Sequence, residues 1–220
     1  MMVKKFKSIK LISFDLDGTL IDKKSFDDIF WMEEVPKIYA KKHKIKIQEA
    51  KKIVIGKFME NPKFGVNWYR PRYWFKYFKL EQDHETILND LKGNLLVYED
   101  VVPLLKELKS KGFKLIVITH STRDMIKIKL EVENLLDYFD EIHSTTDDYE
   151  MIKKDEKIFN LILKRHQIKA KEMLHIGDHK DFDFYVPKMV GVNALFLDRK
   201  KTYKKDNLTI NSLKHVIDFL

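Results

Sequence analysis

The sequence predicts an α/β fold: a parallel sheet covered by helices on both faces, interrupted by a helical insertion. Three observations carry that expectation. Beyond position 94, short apolar runs alternate with helical patterns, which is the signature of βαβ units. The first apolar run is separated from the others by residues 24–92, a stretch of helical periodicity rich in Lys and aromatics. Three of the runs end in Asp or Thr, and open parallel sheets bind ligands beyond the carboxyl ends of their strands.

Lys10-Leu11-Ile12-Ser13-Phe14 reads as a buried strand that ends at Asp15 and Asp17. The insertion repeats apolar residues at helical spacing, as in Phe26, Ile29 and Phe30, with Glu33 following. Breaks at His43–Lys46, Asn61–Gly65 and Gly93 divide it into about four helices. Asp100 is placed to cap a helix running to Lys111, with Pro103 in its first turn and Gly112 as its stop. Lys114–Ile118 is a continuous apolar strand, and a helix is expected over 122–134. Glu141–Ser144 is a short strand, 155–166 a helix, and Met173–Ile176 a strand ending at Gly177-Asp178. Ala194–Leu197 is the last clear strand, and Ile210–Leu220 reads as a short terminal helix.

A chain of 220 residues holds one domain with a large core, or a domain plus a smaller insertion. Without cysteine, disulfides, thiolate metal sites and cysteine nucleophiles are excluded. No apolar run approaches the ~20 residues of a membrane-spanning helix. The basic segment Met1–Lys10 leads into an apolar run cut short at Asp15, which does not read as a secretory signal. A cytoplasmic protein without membrane attachment, monomeric or homodimeric, is expected. Only five of the 42 Lys and Arg residues are Arg, and the net charge is +8. Enrichment in Lys and Glu without Cys is a pattern of hyperthermophile proteins that an AT-rich genome also produces. The positive field suits an anionic substrate. The basic residues are spread along the chain and form no stripe, which disfavours a nucleic-acid partner.

The chemistry concentrates in Phe14-Asp15-Leu16-Asp17-Gly18-Thr19-Leu20. Two carboxylates two residues apart, directly after a strand, suit a division of labour in which one attacks or binds a metal and the other handles a proton. The run resembles the first signature motif of the haloacid dehalogenase (HAD) superfamily. Three later segments fit the same family in the right order: Ile118-Thr119-His120-Ser121, Lys153-Lys154-Asp155-Glu156-Lys157-Ile158-Phe159, and His175-Ile176-Gly177-Asp178-His179-Lys180-Asp181-Phe182-Asp183.

The resemblance implies a Rossmann-like core formed by residues 1–22 and 94–220, and a helical C1 cap formed by 23–93. It implies a Mg²⁺-dependent phosphomonoester hydrolase acting through an aspartyl-phosphate on a small phosphorylated metabolite. Asp15 matches the nucleophile and Asp17 the general acid/base. Thr119 matches the phosphate-binding hydroxyl, with Gly18 beside it. His120 stands where the family usually has Asn, and its role is open between a phosphate or substrate contact and a surface position. The third motif is usually Lys-Pro-Asp-Pro-x-Ile-Phe. Both prolines are replaced here, and aligning Asp155, Ile158 and Phe159 makes Lys153 the catalytic, phosphate-binding lysine. Asp15, Asp178, Asp183 and the Asp17 main-chain carbonyl would hold Mg²⁺, with Asp183 binding directly or through water. Asp181 does not match the spacing, and His175 and His179 read as structural or peripheral. Within the insertion, Arg70, Arg72 and Trp68 are candidates to meet substrate, the alternative being aromatics that pack the cap's small core and solvated arginines.

Other chemistries of the superfamily are 2-haloacid dehalogenation, phosphonate hydrolysis through a cap lysine, and sugar-phosphate mutation. A non-catalytic binding module is a further alternative. Dehalogenases usually lack an acid at the Asp17 position, so Asp17 favours phosphate chemistry.

Overall fold

The computed structural model describes residues 5–60, 63–203 and 206–220. Asn61 and Pro62, which open the second expected break, lie outside the described residues, as do Met1–Lys4.

Strand β1 (Leu11–Phe14) is buried along its whole length, as expected of a strand covered on both faces. Between it and the next strand lies the insertion. Helix α1 (Lys23–Ile29) begins at Asp22, whose carboxylate accepts the Lys24 N–H at 3.1 Å. It continues through a π-helical turn, Phe30–Glu34, into α2 (Val35–His43). Pro36 interrupts the hydrogen-bond ladder at that junction, and the widened turn accommodates the missing donor. Lys44 adopts a left-handed conformation (φ 54°) and ends the rod at the expected break. Helices α3 (Ile47–Phe58), α4 (Pro71–Tyr77) and α5 (His84–Asp90) follow, and a 3₁₀ turn spans Lys92–Asn94 at the break expected near Gly93.

Strand and helix then alternate: α6 (Val101–Ser110), β2 (Lys114–Thr119), α7 (Arg123–Glu131), β3 (Glu141–Ser144), α8 (Thr145–Tyr149), α9 (Glu156–His166), β4 (Met173–Gly177), α10 (Val186–Met189), β5 (Asn193–Leu197) and β6 (Thr209–Ile210). The six strands form one sheet in the order β3-β2-β1-β4-β5-β6, every pairing parallel. This is the expected Rossmann-like arrangement.

Four local expectations need correction. Asp100 sits at the start of α6 but does not cap it; its carboxylate accepts from Arg199, Ser212 and the Leu213 N–H, joining α6 to the C-terminal segment. The helix expected over 122–134 ends at Glu131, because Glu133 and Asn134 adopt positive φ. The C-terminal segment forms a 3₁₀ stretch, Leu213–Phe219, in place of an α-helix. Strand β6 was not expected, because two residues carry no periodicity to read.

Residues of the sheet and of the insertion share one apolar cluster. Phe14, Leu16 and Val117 of the sheet region connect through Phe26 and Phe30 to Phe58, Trp74 and Phe78. No described helix is long and apolar enough to cross a membrane.

Candidate active site

The register of the central strands brings the motifs to one edge. Phe14 pairs with Val117 on one side and with Ile176 on the other. The chain therefore leaves β1 at Asp15, β2 at Thr119 and β4 at Asp178 side by side, and the Asp15 N–H donates to the Ile176 carbonyl at 2.9 Å. A cavity of about 480 Å³ opens there. Asp15, Asp17, Thr119, His120, Lys154, Asp178 and Asp183 line it from the sheet side, and Trp31, Met32, Phe58, Met59, Trp68 and Tyr69 line it from the insertion.

Two glycines make this crowding possible. Gly18 has φ +90°, and a Cβ there would lie 2.2 Å from an Asp178 carboxylate oxygen. A Cβ on Gly177 would lie 2.4 Å from the Asp183 carboxylate. Any side chain at either position would push an acid out of the cluster.

Asp15 is buried and receives the Lys154 ammonium on one oxygen and the Thr19 hydroxyl on the other, the latter at 3.1 Å. Lys154 also donates to Asp183 at 2.7 Å. Asp183 is wholly buried, accepts the His179 N–H at 2.9 Å, and lies 3.1 Å from His175 Nε2. The other nitrogen of His175 meets Ser13 Oγ at 2.6 Å, so this buried histidine links Asp183 to β1. Carboxylate oxygens of Asp15, Asp178 and Asp183 lie within 4.8 Å of one another.

The electrostatics reveal an excess of negative charge. Burial and the carboxylates of Asp183 and Asp178 push Asp15 up to about 8, against the pull of Lys154. Desolvation and Asp183 push Asp178 up to about 6. Asp183 is held below its ordinary value: burial acts to raise it, but Lys154 and His175 overcome that effect. The cluster thus has carboxylates that the protein's own cations do not compensate. Its donors are hard oxygens, the set a magnesium ion takes.

The lysine that reaches Asp15 and Asp183 is Lys154. Lys153 is exposed, and the expectation that it enters the site is incorrect. The physical reason lies in the loop. Without the family's two prolines to set the backbone, the loop is pinned where the Lys154 N–H donates to His120 Nε2 at 2.9 Å, and Asp155 then caps α9 by accepting the Lys157 N–H at 2.9 Å. His120 accordingly lies at the cavity wall, stacked on Tyr69 at 5.3 Å. Burial and the nearby Lys154 push it down to about 3, so its ring is neutral and accepts at Nε2.

Asp17 lies in a second network that the motif reading missed. The Lys129 ammonium, fully buried, donates to Asp17 at 2.5 Å, to Asp27 at 2.9 Å and to Ser121 Oγ at 2.9 Å. Ser121 in turn donates to the other Asp17 oxygen at 2.6 Å. Burial would raise Asp17, but Lys129 outweighs it and holds the carboxylate below its ordinary range. The sequence did carry a signal for Lys129: it lies four residues after Met125 and three after Ile126, on the apolar face of α7.

Asp27 belongs to α1 and Lys129 to α7, so this ion pair also ties the insertion to the sheet-bearing part. Arg70 makes a second tie. It bonds Asp147 at 3.2 Å, Glu150 at 2.7 Å and the Thr146 carbonyl at 3.1 Å, and does not line the cavity. Arg72 is exposed beside a separate depression. Of the three insertion residues expected to meet substrate, only Trp68 faces the cavity.

Lys129→Met is expected to leave Asp17 and Asp27 facing each other without a cation, at a cost on the order of 3–5 kcal/mol. Thermal melts check this: adding Asp27→Asn should recover part of the lost stability, and a Lys129→Met melt equal to wild type would contradict it.

The model of the haloacid dehalogenase-like hydrolase family matches residues 9–184. The chain belongs to that family. Among curated relatives of this HAD hydrolase, a GMP/IMP nucleotidase of Escherichia coli is 27% identical, the match covering 79% of this chain and 76% of the relative. A glyceraldehyde 3-phosphate phosphatase of Methanocaldococcus jannaschii is 28% identical, over 96% and 97% of the two chains. Among solved structures, a HAD phosphatase from Thermococcus onnurineus superposes with a TM-score of 0.82 at 28% identity, covering 94% of this chain and 96% of that one.

Proposed function

We propose that this HAD hydrolase is a magnesium-dependent phosphomonoesterase, with residues 1–22 and 94–220 as the catalytic core and 23–93 as its cap. The observation that carries the reading is the cluster of Asp15, Asp178, Asp183 and Lys154, buried except at Asp178, beside Thr119 at the carboxyl edge of the sheet. Uncompensated carboxylates on one side and a lysine on the other suit a site completed by a divalent cation and a phosphate dianion together. The phosphatase names of the relatives point the same way.

Asp15, which a bound cation would hold ionised, attacks phosphorus; a bond forms from its carboxylate oxygen, and the ester P–O bond breaks. Asp17 gives the leaving oxygen a proton. Lys129 keeps Asp17 ionised before substrate arrives; the charge of the incoming phosphate raises its proton affinity, and Asp17 takes up from solvent the proton it donates. Water then attacks the aspartyl-phosphate, loses its proton to Asp17, and releases inorganic phosphate while Asp15 is regenerated. Thr119, the main chain at Gly18 and Lys154 hold the phosphoryl oxygens. Asp15, Asp178, Asp183 and the Asp17 carbonyl would hold Mg²⁺, which when bound neutralises charge on the phosphoryl group. Both Asp183 oxygens already accept from protein donors, which favours a water-bridged role for that residue.

The cap side of the cavity is lined by Trp31, Met32, Phe58, Met59, Trp68 and Tyr69 together with the charged residues Lys23, Asp27 and Asp28 of α1, and no arginine lines it among the described residues. The aromatic and apolar part of that lining suits a leaving group with a flat or apolar surface. Phosphate release from p-nitrophenyl phosphate, nucleoside monophosphates and triose phosphates, with Mg²⁺ and with EDTA, tests the reading. Mg²⁺-dependent hydrolysis of at least one monoester is expected. Turnover of 2-haloacids in place of phosphate esters would overturn it.

A further inference from the structure

At the opposite end of β3 from the active-site edge, Glu141 and His143 project from one face of the strand, two residues apart, and meet His166 at the end of α9. His143 Nε2 lies 3.4 Å from one Glu141 carboxylate oxygen, and His166 Nε2 lies 3.7 Å from the other. Both nitrogens are buried and neither makes a hydrogen bond. His143 is only 4% exposed, so an unpartnered ring nitrogen there requires an explanation.

We propose that Glu141, His143 and His166 form a second metal site, separate from the magnesium site, for a borderline divalent cation such as Zn²⁺. One carboxylate and two imidazoles form a typical zinc donor set. A tetrahedral zinc with bonds of ~2.0–2.1 Å separates its ligand atoms by about 3.4 Å, close to the spacing observed. One atom from each of the three residues lies within 4.8 Å of the others.

The surroundings suit ligation. His143 Nδ1 meets the Tyr149 hydroxyl at 2.7 Å, and donation from Nδ1–H to that oxygen leaves the lone pair on Nε2, where the metal would sit. Burial pushes His143 down to about 4 and lowers His166, the direction that favours the neutral rings a metal binds. Glu141 and His166 line an open depression of about 420 Å³ that gives access from solvent.

Two cations guard the site. Arg165 bonds Glu141 at 2.6 Å, and Lys114 lies 3.4 Å from Glu141 and 3.1 Å from His166 Nδ1. Both side chains are substantially exposed, at 63% and 44%, and can withdraw into water. When Lys114 withdraws, the His166 ring proton moves from Nε2 to Nδ1 and frees the ligating lone pair. Metal uptake therefore competes with Arg165 and Lys114 for Glu141.

Calorimetric titration of the full chain with Zn²⁺, in excess Mg²⁺ near pH 7, tests this. One equivalent of Zn²⁺ is expected to bind. Binding should be lost in His143→Gln and His166→Gln, retained in Asp178→Asn, and several-fold tighter in Arg165→Gln. Circular dichroism of each variant establishes that the fold is kept, and His166→Gln, at a helix end, is the safer of the two. Co²⁺ substitution supplies a second readout, the visible absorption of a tetrahedral ion that His143→Gln and His166→Gln abolish. Failure of wild type to bind Zn²⁺ would overturn the proposal. So would Zn²⁺ binding lost in Asp178→Asn and untouched in a folded His166→Gln, or binding weakened by Arg165→Gln.

Discussion

Asp15→Asn is expected to lower turnover on the order of 10⁴-fold or more while leaving the fold intact. The amide has the shape of the carboxylate but no lone pair able to form the aspartyl-phosphate. The neighbouring Asp183 does not take its place, because it is locked between Lys154, His175 and the His179 N–H. The variant is also expected to melt no lower than wild type in EDTA. Asp15 is pushed up to about 8 from an ordinary 3.8, chiefly by burial. A raised carboxyl means that the folded state binds the proton more tightly than the unfolded chain. Ionising it therefore destabilises the fold, by nothing below pH 4 and increasingly as pH rises toward 8. Asn carries no such charge, so the melting temperature of the variant relative to wild type should rise through that window. Wild-type turnover in the variant would remove Asp15 from the role of nucleophile. A gap in melting temperature that shrinks with pH would contradict the electrostatic account of its pocket.

The residues legible from sequence are those whose position follows from topology. Asp15, Thr119 and Asp178 each lie at the end of an apolar strand, and parallel pairing of β1 with β2 and β4 forces such ends together. Asp183 is legible by its spacing from Asp178 within a single motif. The residues that were misread depend on loop register or on tertiary partners. Between Lys153 and Lys154 the sequence offers two identical side chains, and the choice is made by a hydrogen bond from the Lys154 main chain to His120, far away in the chain. Lys129 shows in sequence only as a charge on the apolar face of α7, and its partners Asp17 and Asp27 come from two other segments that no local pattern links to it. Trp68 and the arginines of the insertion illustrate the same limit. The 3₁₀ turn Gly65–Tyr69 puts Trp68 and Tyr69 against the cavity, whereas Arg70 is drawn away to Asp147 and Glu150. The pull is electrostatic, and its source lies on α8, which no local pattern in the insertion reveals.

Lys154→Met and Lys153→Met should separate these two neighbours by a wide margin. Lys154 is wholly buried, and its ammonium is shared by Asp15 and Asp183. Burial alone would strip its proton, but the two carboxylates outweigh that effect and hold it above the ordinary lysine value, so it is a fixed positive charge. A preorganised charge in a water-poor site is worth more to a developing phosphoryl charge than the same charge in water. Its removal is expected to lower kcat by about 10²–10³-fold. Stability should fall as well, since Asp15 and Asp183 are left as buried carboxylates with one cation fewer. Inorganic phosphate, a product that carries the same charge, should bind the variant more weakly. Lys153 is exposed and its replacement should leave kcat within about twofold, because surface changes away from a site rarely exceed ±0.5 kcal/mol. Steady-state kinetics of the two variants decide the matter. Equal losses would mean that the loop shifts between the two lysines on substrate binding, and a larger loss at Lys153 would contradict the register fixed by His120.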